Sequence, residues 1–92
     1  MVQKFRTKIV EIEAVQFTGF NFEEMKLFTE GNFHPVDPED RLDDPEITAE
    51  VYDKLHSTWI GVIPGQWIVR GVKGEYYPCD DETFKWKYEE VE

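Results

Sequence analysis

One cysteine, two histidines and ten basic residues against twenty acidic ones mark what this 92-residue chain has little of. A single thiol, Cys79, excludes an internal disulfide and suits a reducing cytoplasm. The histidines, His34 and His56, stand alone, and no H-x-x-x-H or C-x-x-C spacing occurs, so the local patterns that hold zinc are missing. Apolar runs extend only a few residues, too short to cross a membrane. The first residues, MVQKFRTKIVEIE, carry basic groups but no unbroken apolar stretch, so no signal peptide is expected. The shortage of base leaves a formal charge of −10, which disfavours direct contact with nucleic acid or an anionic membrane.

What is present fits one globular unit. Hydrophobic residues at 40% beside 33% charged residues argue against disorder, and 15% aromatics supply the material of a core. Residues 1–92 are enough for a single domain that buries roughly 60–65% of its unfolded surface. A domain of this size has little chain left over for a deep substrate cavity.

Residues 8–17 predict a first strand, rich in Ile9, Val10, Ile12, Val15 and Phe17, with a parity change after Ala14 that points to a bulge or to two covered faces. Asn21 followed by Glu24 has capping-box spacing, and Phe20 with Met25 has that of a hydrophobic staple. Phe22, Met25 and Phe28 recur every three residues, and Gly31 supplies a helical stop. Asp44-Pro45 resembles a second helix start, and Ile47, Val51 and Leu55 form a stripe that predicts a helix over 45–56. Strands are expected at 59–63, 66–72 and 75–79, joined by Pro64-Gly65 and Lys73-Gly74, with Asp80-Asp81 capping a short helical turn or loop. Phe84, Trp86 and Tyr88 alternate with Lys85, Lys87 and Glu89, the period of a half-buried final strand. The reading is α+β: a small antiparallel-rich sheet, ordered β-α-α-β-β-β-β, with two short helices packed on it.

IEAVQFTG at 12–19, PGQWIVRGVKGEYYPC at 64–79 and YEEV at 88–91 together resemble a family of small bacteriophage proteins. That family carries an EAVQ-aromatic-TG start and a PG[DQ]W-I-x-[KR]GVKGE-aromatic-YPC hairpin. AEVYDKLHSTW in the middle is similar to versions from phages of actinobacteria, whereas the acidic stretch 37–44 is outside the pattern. The resemblance implies a phage origin and an accessory role in the cytoplasm of an infected bacterial cell, and it carries little chemistry. Gly65, Gly71 and Gly74 suit turns and close backbone approach, so the hairpin motif also has a purely structural reading.

Nucleophilic catalysis would need Cys79 or a serine beside a base; a Cys79–His56 pair would have that form, but a lone cysteine ending a strand ordinarily serves as a small apolar residue. The acids between 37 and 46 lack the D-x-D-x-D-G geometry of a calcium loop. Neither a cofactor, a metal nor catalysis is expected. Charge is distributed unevenly: residues 21–56 hold eleven acids against three bases. On a second helix with its loop these would form a negative face able to steer onto a basic partner. The expected partner is a host protein, and the expected contacts are Asp40, Asp43, Asp44, Glu46, Glu50 and Asp53, with Tyr52 as an aromatic anchor. An alternative is a small-molecule or nucleotide-binding module, with Trp59, Trp67 or Tyr77 stacking and Arg70 and Lys73 holding a phosphate. A third reading is an acidic nucleic-acid mimic that occupies the basic groove of a host enzyme. The aromatic final strand, as an exposed edge, would also admit a homodimer.

Overall fold

The computed structural model of the chain describes residues 1–6, 8–41 and 44–91. In order they form β1 (Glu13–Gln16), α1 (Phe22–Phe28), β2 (Phe33–Pro35), a 3-10 turn at Pro38–Asp40, β3 (Ala49–Asp53), β4 (Thr58–Val62), β5 (Trp67–Arg70), β6 (Tyr76–Cys79) and α2 (Asp81–Lys87). The fold is α+β, with antiparallel pairing throughout and two short helices. The strands divide into two sheets of three, ordered β1-β5-β6 (sheet A) and β2-β3-β4 (sheet B).

One core joins both sheets and α1. Phe17, Met25, Phe33, Ala49, Val51, Val62, Ile68 and Tyr76 are buried together, with Val15, Phe22, Phe28 and Ile60 packed around them. Phe17 meets Phe22 and Phe33 edge-on, each at 5.2 Å between ring centres, a favoured aromatic geometry. Each fully buried apolar side chain of this size contributes about 1.5–3 kcal/mol, so these positions dominate stability.

The first helix forms where expected, but its start is built differently. Asn21 Oδ1 accepts from the Thr18 amide at 2.8 Å, and Nδ2 donates to the Gln16 carbonyl at 2.9 Å and to Glu24 Oε1 at 2.7 Å. Asn21 therefore clasps the preceding loop instead of capping a helical amide. Phe20 is exposed and makes no staple on the buried Met25. At the other end Gly31, with φ of 88°, donates to the Lys26 carbonyl at 2.8 Å and closes the helix.

Three expectations need correction. No helix forms over 45–56; Ala49–Asp53 is instead the central strand of sheet B. A spacing of four serves a helical stripe and one face of a strand equally, and Ala49, Val51 and Asp53 alternate as buried residues along β3. The acids of this region therefore lie on a strand and its loop, not on a helical face. The final strand is also absent, since Asp81–Lys87 is helical. Asp80 enters it with an extended backbone and its carbonyl accepts from the Phe84 amide, while Lys85 pairs with Asp81 at 3.1 Å. Lastly, β1 is shorter than residues 8–17. Glu13 pairs with Arg70, the last residue of β5, so residues 8–12 have no strand beside them in sheet A.

Sheet A is covered on both faces. Ile68, Arg70 and Tyr76 face the core side, whereas Trp67, Val69 and Tyr77 face α2. Trp67 stacks on Phe84 at 4.2 Å and 6°, and Phe84 contacts Tyr88 at 5.0 Å. The face of sheet B that turns away from the core carries different chemistry.

Candidate functional site

Strand alternation sends Phe33, Val51 and Val62 inward and leaves His34, Glu50, Tyr52, Trp59 and Gly61 on the outer face of sheet B. His34 lies opposite Glu50, and Tyr52 opposite Trp59. The Trp59 indole reaches across β3 to stack on His34 at 4.3 Å and 17°, and Tyr52 meets it edge-on at 5.3 Å and 61°. His34 Nε2 stands 2.8 Å from Glu50 Oε1. The result is a three-ring platform with a carboxylate at its side, and 43% of Trp59 remains exposed.

The loop from β2 to β3 continues this face. Arg41 folds back to donate through Nε and Nη2 to the Val36 carbonyl at 2.9 and 2.6 Å. Asp44 Oδ1 accepts from the Glu46 amide at 3.1 Å, a local turn typical of aspartate. Ile47 then lies on Gly61: a Cβ there would come within 2.8 Å of Ile47 Cδ1. Glycine in mid-strand thus lets the loop settle on the sheet. Asp37, Glu39, Asp40, Asp44 and Glu46 remain exposed.

The expected partner-binding residues separate into groups. Asp40 ends the 3-10 turn, and Asp44 and Glu46 follow on the same loop, all exposed. Glu50 and Tyr52 belong to the platform. Asp53 does not face outward at all. It is 6% exposed and pins the β3–β4 turn, accepting from the Leu55 amide at 2.9 Å and meeting His56 Nδ1 at 2.6 Å. The His56 hydrogen bond, aided by the Leu55 amide, holds the Asp53 carboxyl below its ordinary range. Asp43 lies outside the described residues.

The alternative ligand set is scattered. Trp59 is on sheet B, whereas Trp67, Arg70 and Tyr77 are on sheet A and Lys73 is in the β5–β6 turn. Arg70 is committed to the fold. It donates to Glu13 at 2.9 Å and to the Phe28 carbonyl, and its guanidinium sits 4.5 Å from the Phe28 ring centre. Tyr77 faces Tyr88, its hydroxyl 3.4 Å from the other, and burial pushes its phenol up. Trp67 is occupied by Phe84 and by Asp81, whose carboxyl is held low by the indole hydrogen bond and by Lys85. Cys79 Sγ lies 3.7 Å from the Asp80 carbonyl, and His56 is held by Asp53.

Two features were missed at the level of sequence. His34 lies on β2, where the sequence signals no strand, and stacks on Trp59; the pattern Phe33-His34-Pro35 is too short to announce one. Trp86, expected on an inward face, is 86% exposed on α2, where it borders a hollow of about 1400 Å³ between residues 8–14 and the end of the chain. Among the described residues no helix is long and apolar enough to cross a membrane, and no three His, Cys, Asp or Glu side chains gather as metal ligands. Comparison with known proteins finds no matching family model, curated protein or solved structure.

Proposed function

We propose that this chain is a non-catalytic bacteriophage protein that acts in the cytoplasm of the infected cell by binding a host protein through the outer face of sheet B. The observation that carries this reading is the exposed Trp59–His34–Tyr52 platform beside Glu50, bordered by the acidic β2–β3 loop. Exposed aromatic anchors ringed by charge are the composition of binding hot spots. A tryptophan face beside carboxylates suits arginine and lysine side chains, which stack on the ring and pair with the acids. The favoured partner therefore offers a basic surface, and association weakens with salt. The resemblance of the 12–19 and 64–79 segments to small phage proteins supports the setting. The nucleotide-binding alternative has less support, because Arg70 is already engaged by Glu13 and the Phe28 carbonyl.

Affinity capture from a host lysate tests the reading in three arms: the native chain, Trp59→Ala with Tyr52→Ala, and lysine at Asp40, Asp44, Glu46 and Glu50. A partner should be retained by the native chain and lost from both variants. Loss of a central aromatic should weaken a purified complex about thirtyfold or more, the scale of a hot spot. Equal recovery by all three arms would reject this face.

A further inference from the structure

His34 touches both of the groups that would attract a basic partner. Its Nε2 stands 2.8 Å from Glu50 Oε1, and its ring lies against the Trp59 indole at 4.3 Å and 17°. The His34 side chain is 47% exposed and that of Glu50 35%, so protons reach the pair without any opening of the fold.

The charges around this imidazole come from few places. β3 supplies Glu50 directly opposite; β4 supplies Trp59, and its Gly61 faces Glu50 with no side chain of its own. The loop after β2 holds the exposed acids Asp37, Glu39, Asp40, Asp44 and Glu46. Its one described base, Arg41, is turned onto the Val36 carbonyl. α1 packs on β2 from the core side, where Phe22 meets Phe33, and its Glu23, Glu24 and Lys26 form no ion pair with His34. Among the described residues no lysine or arginine pairs with Glu50. His34 is the group placed to neutralise that carboxylate.

Imidazole is the side chain that gains a proton between neutral and mildly acid pH. Glu50 as a carboxylate only accepts, so Nε2 of the neutral ring donates to it, and the pair keeps a full negative charge. A proton added from solvent at Nδ1 makes the pair neutral and sets a positive ring on the Trp59 π face. We infer that His34 is a proton-operated competitor for the platform. Deprotonated, it leaves the charge of Glu50 and the electron-rich indole to the cation of a basic partner. Protonated, it stands in for that cation, and the partner is released. The acids of the loop do not oppose the switch, because carboxylates ordinarily keep their charge down to about pH 4. The switch rests on the platform being the partner-binding face, as proposed above.

A short oligo-arginine peptide serves as the probe, titrated calorimetrically into the full chain at about pH 7.5 and about pH 5.5, either side of the histidine range. Binding to the native chain is expected to weaken about fivefold or more at the lower pH, the joint scale of one exposed cation–π contact and one exposed ion pair. His34→Phe keeps a ring beside Trp59, and His34→Gln keeps a donor for Glu50; neither takes up a proton, and both should bind equally at the two pH values. His56→Gln should retain the native response. The Trp59 indole N–H resonance should move over the same interval in the native chain and stay still in the two His34 variants. Equal native binding at both pH values, or a pH response that survives in the His34 variants, overturns the switch and leaves the platform reading standing. Peptide held equally well by Trp59→Ala, or not held by the native chain at either pH, overturns the platform reading and the switch with it.

Discussion

The Trp67 indole N–H donates to Asp81 Oδ1 at 2.9 Å, and this bond fastens α2 to sheet A. The same indole stacks on Phe84 one turn later, so one side chain holds the short helix at two points. A two-turn helix has little stability of its own and relies on such docking. Trp67→Ala should release α2, seen as lost near-ultraviolet circular dichroism and rapid exchange of the amides at 84–88. The thermal midpoint should fall by about 5 °C or more, on the scale of 4–8 °C per kcal/mol for a domain of this size.

Acid should destabilise the fold through two aspartates. His56 at Asp53, and Trp67 with Lys85 at Asp81, lower these carboxyls in the folded state. A lowered folded pKa contributes stability that is complete above the unfolded aspartate pKa of about 4 and is lost as pH falls through the folded value. Urea midpoints measured across acid pH should therefore drop below about pH 4. Asp53→Asn combined with Asp81→Asn should flatten that drop while lowering the plateau above it.

Arg70 holds the end of α1 to sheet A through Glu13, the Phe28 carbonyl and the Phe28 ring. Arg70→Met keeps the aliphatic stem but removes the charged donor to Glu13 and to the Phe28 carbonyl, which keeps only the Tyr76 hydroxyl at 3.2 Å, for an expected loss of about 1–3 kcal/mol. Arg70→Lys should recover only part of it, because an ammonium cannot reproduce the planar fork. Chemical unfolding of the three proteins measures the difference.

Gly61 controls how the acidic loop lies on sheet B. Gly61→Ala sets a methyl against Ile47 and should cost about 1–3 kcal/mol as an overpacked contact. Gly61→Ala with Ile47→Ala should restore most of that loss, and the non-additivity, read from a double-mutant cycle, reports the contact itself.

Much of the fold is legible where local chemistry has one solution. Pro64-Gly65 turns as its residues dictate, with Gly65 at φ of 99° and the Gln66 amide returning to the Ile63 carbonyl at 3.2 Å. Phe22, Met25 and Phe28 face the core as their spacing predicts. Legibility fails where two periods share the same positions. Ile47, Val51 and Leu55 satisfy a helix and a strand face alike, and only pairing with β2 and β4 decides between them. Phe84 and Tyr88 likewise fit an alternating strand and one side of a helix; the Trp67 surface selects the helix. For the candidate site, Glu50 and Tyr52 are visible in sequence as members of an acidic stretch. Their assembly with His34 and Trp59 depends on register between three strands, a relation that no single segment encodes.

Pro78 has no amide hydrogen to offer, and it sits on β6, at the far border of sheet A from β1. A proline there keeps its pairing with β5 only by turning its missing donor outward, so that border cannot template another strand. Sheet A can therefore lengthen in one direction alone. A foreign strand seeking sheet A is thus left the β1 border alone, where no proline interrupts the row of amides from Glu13 to Gln16.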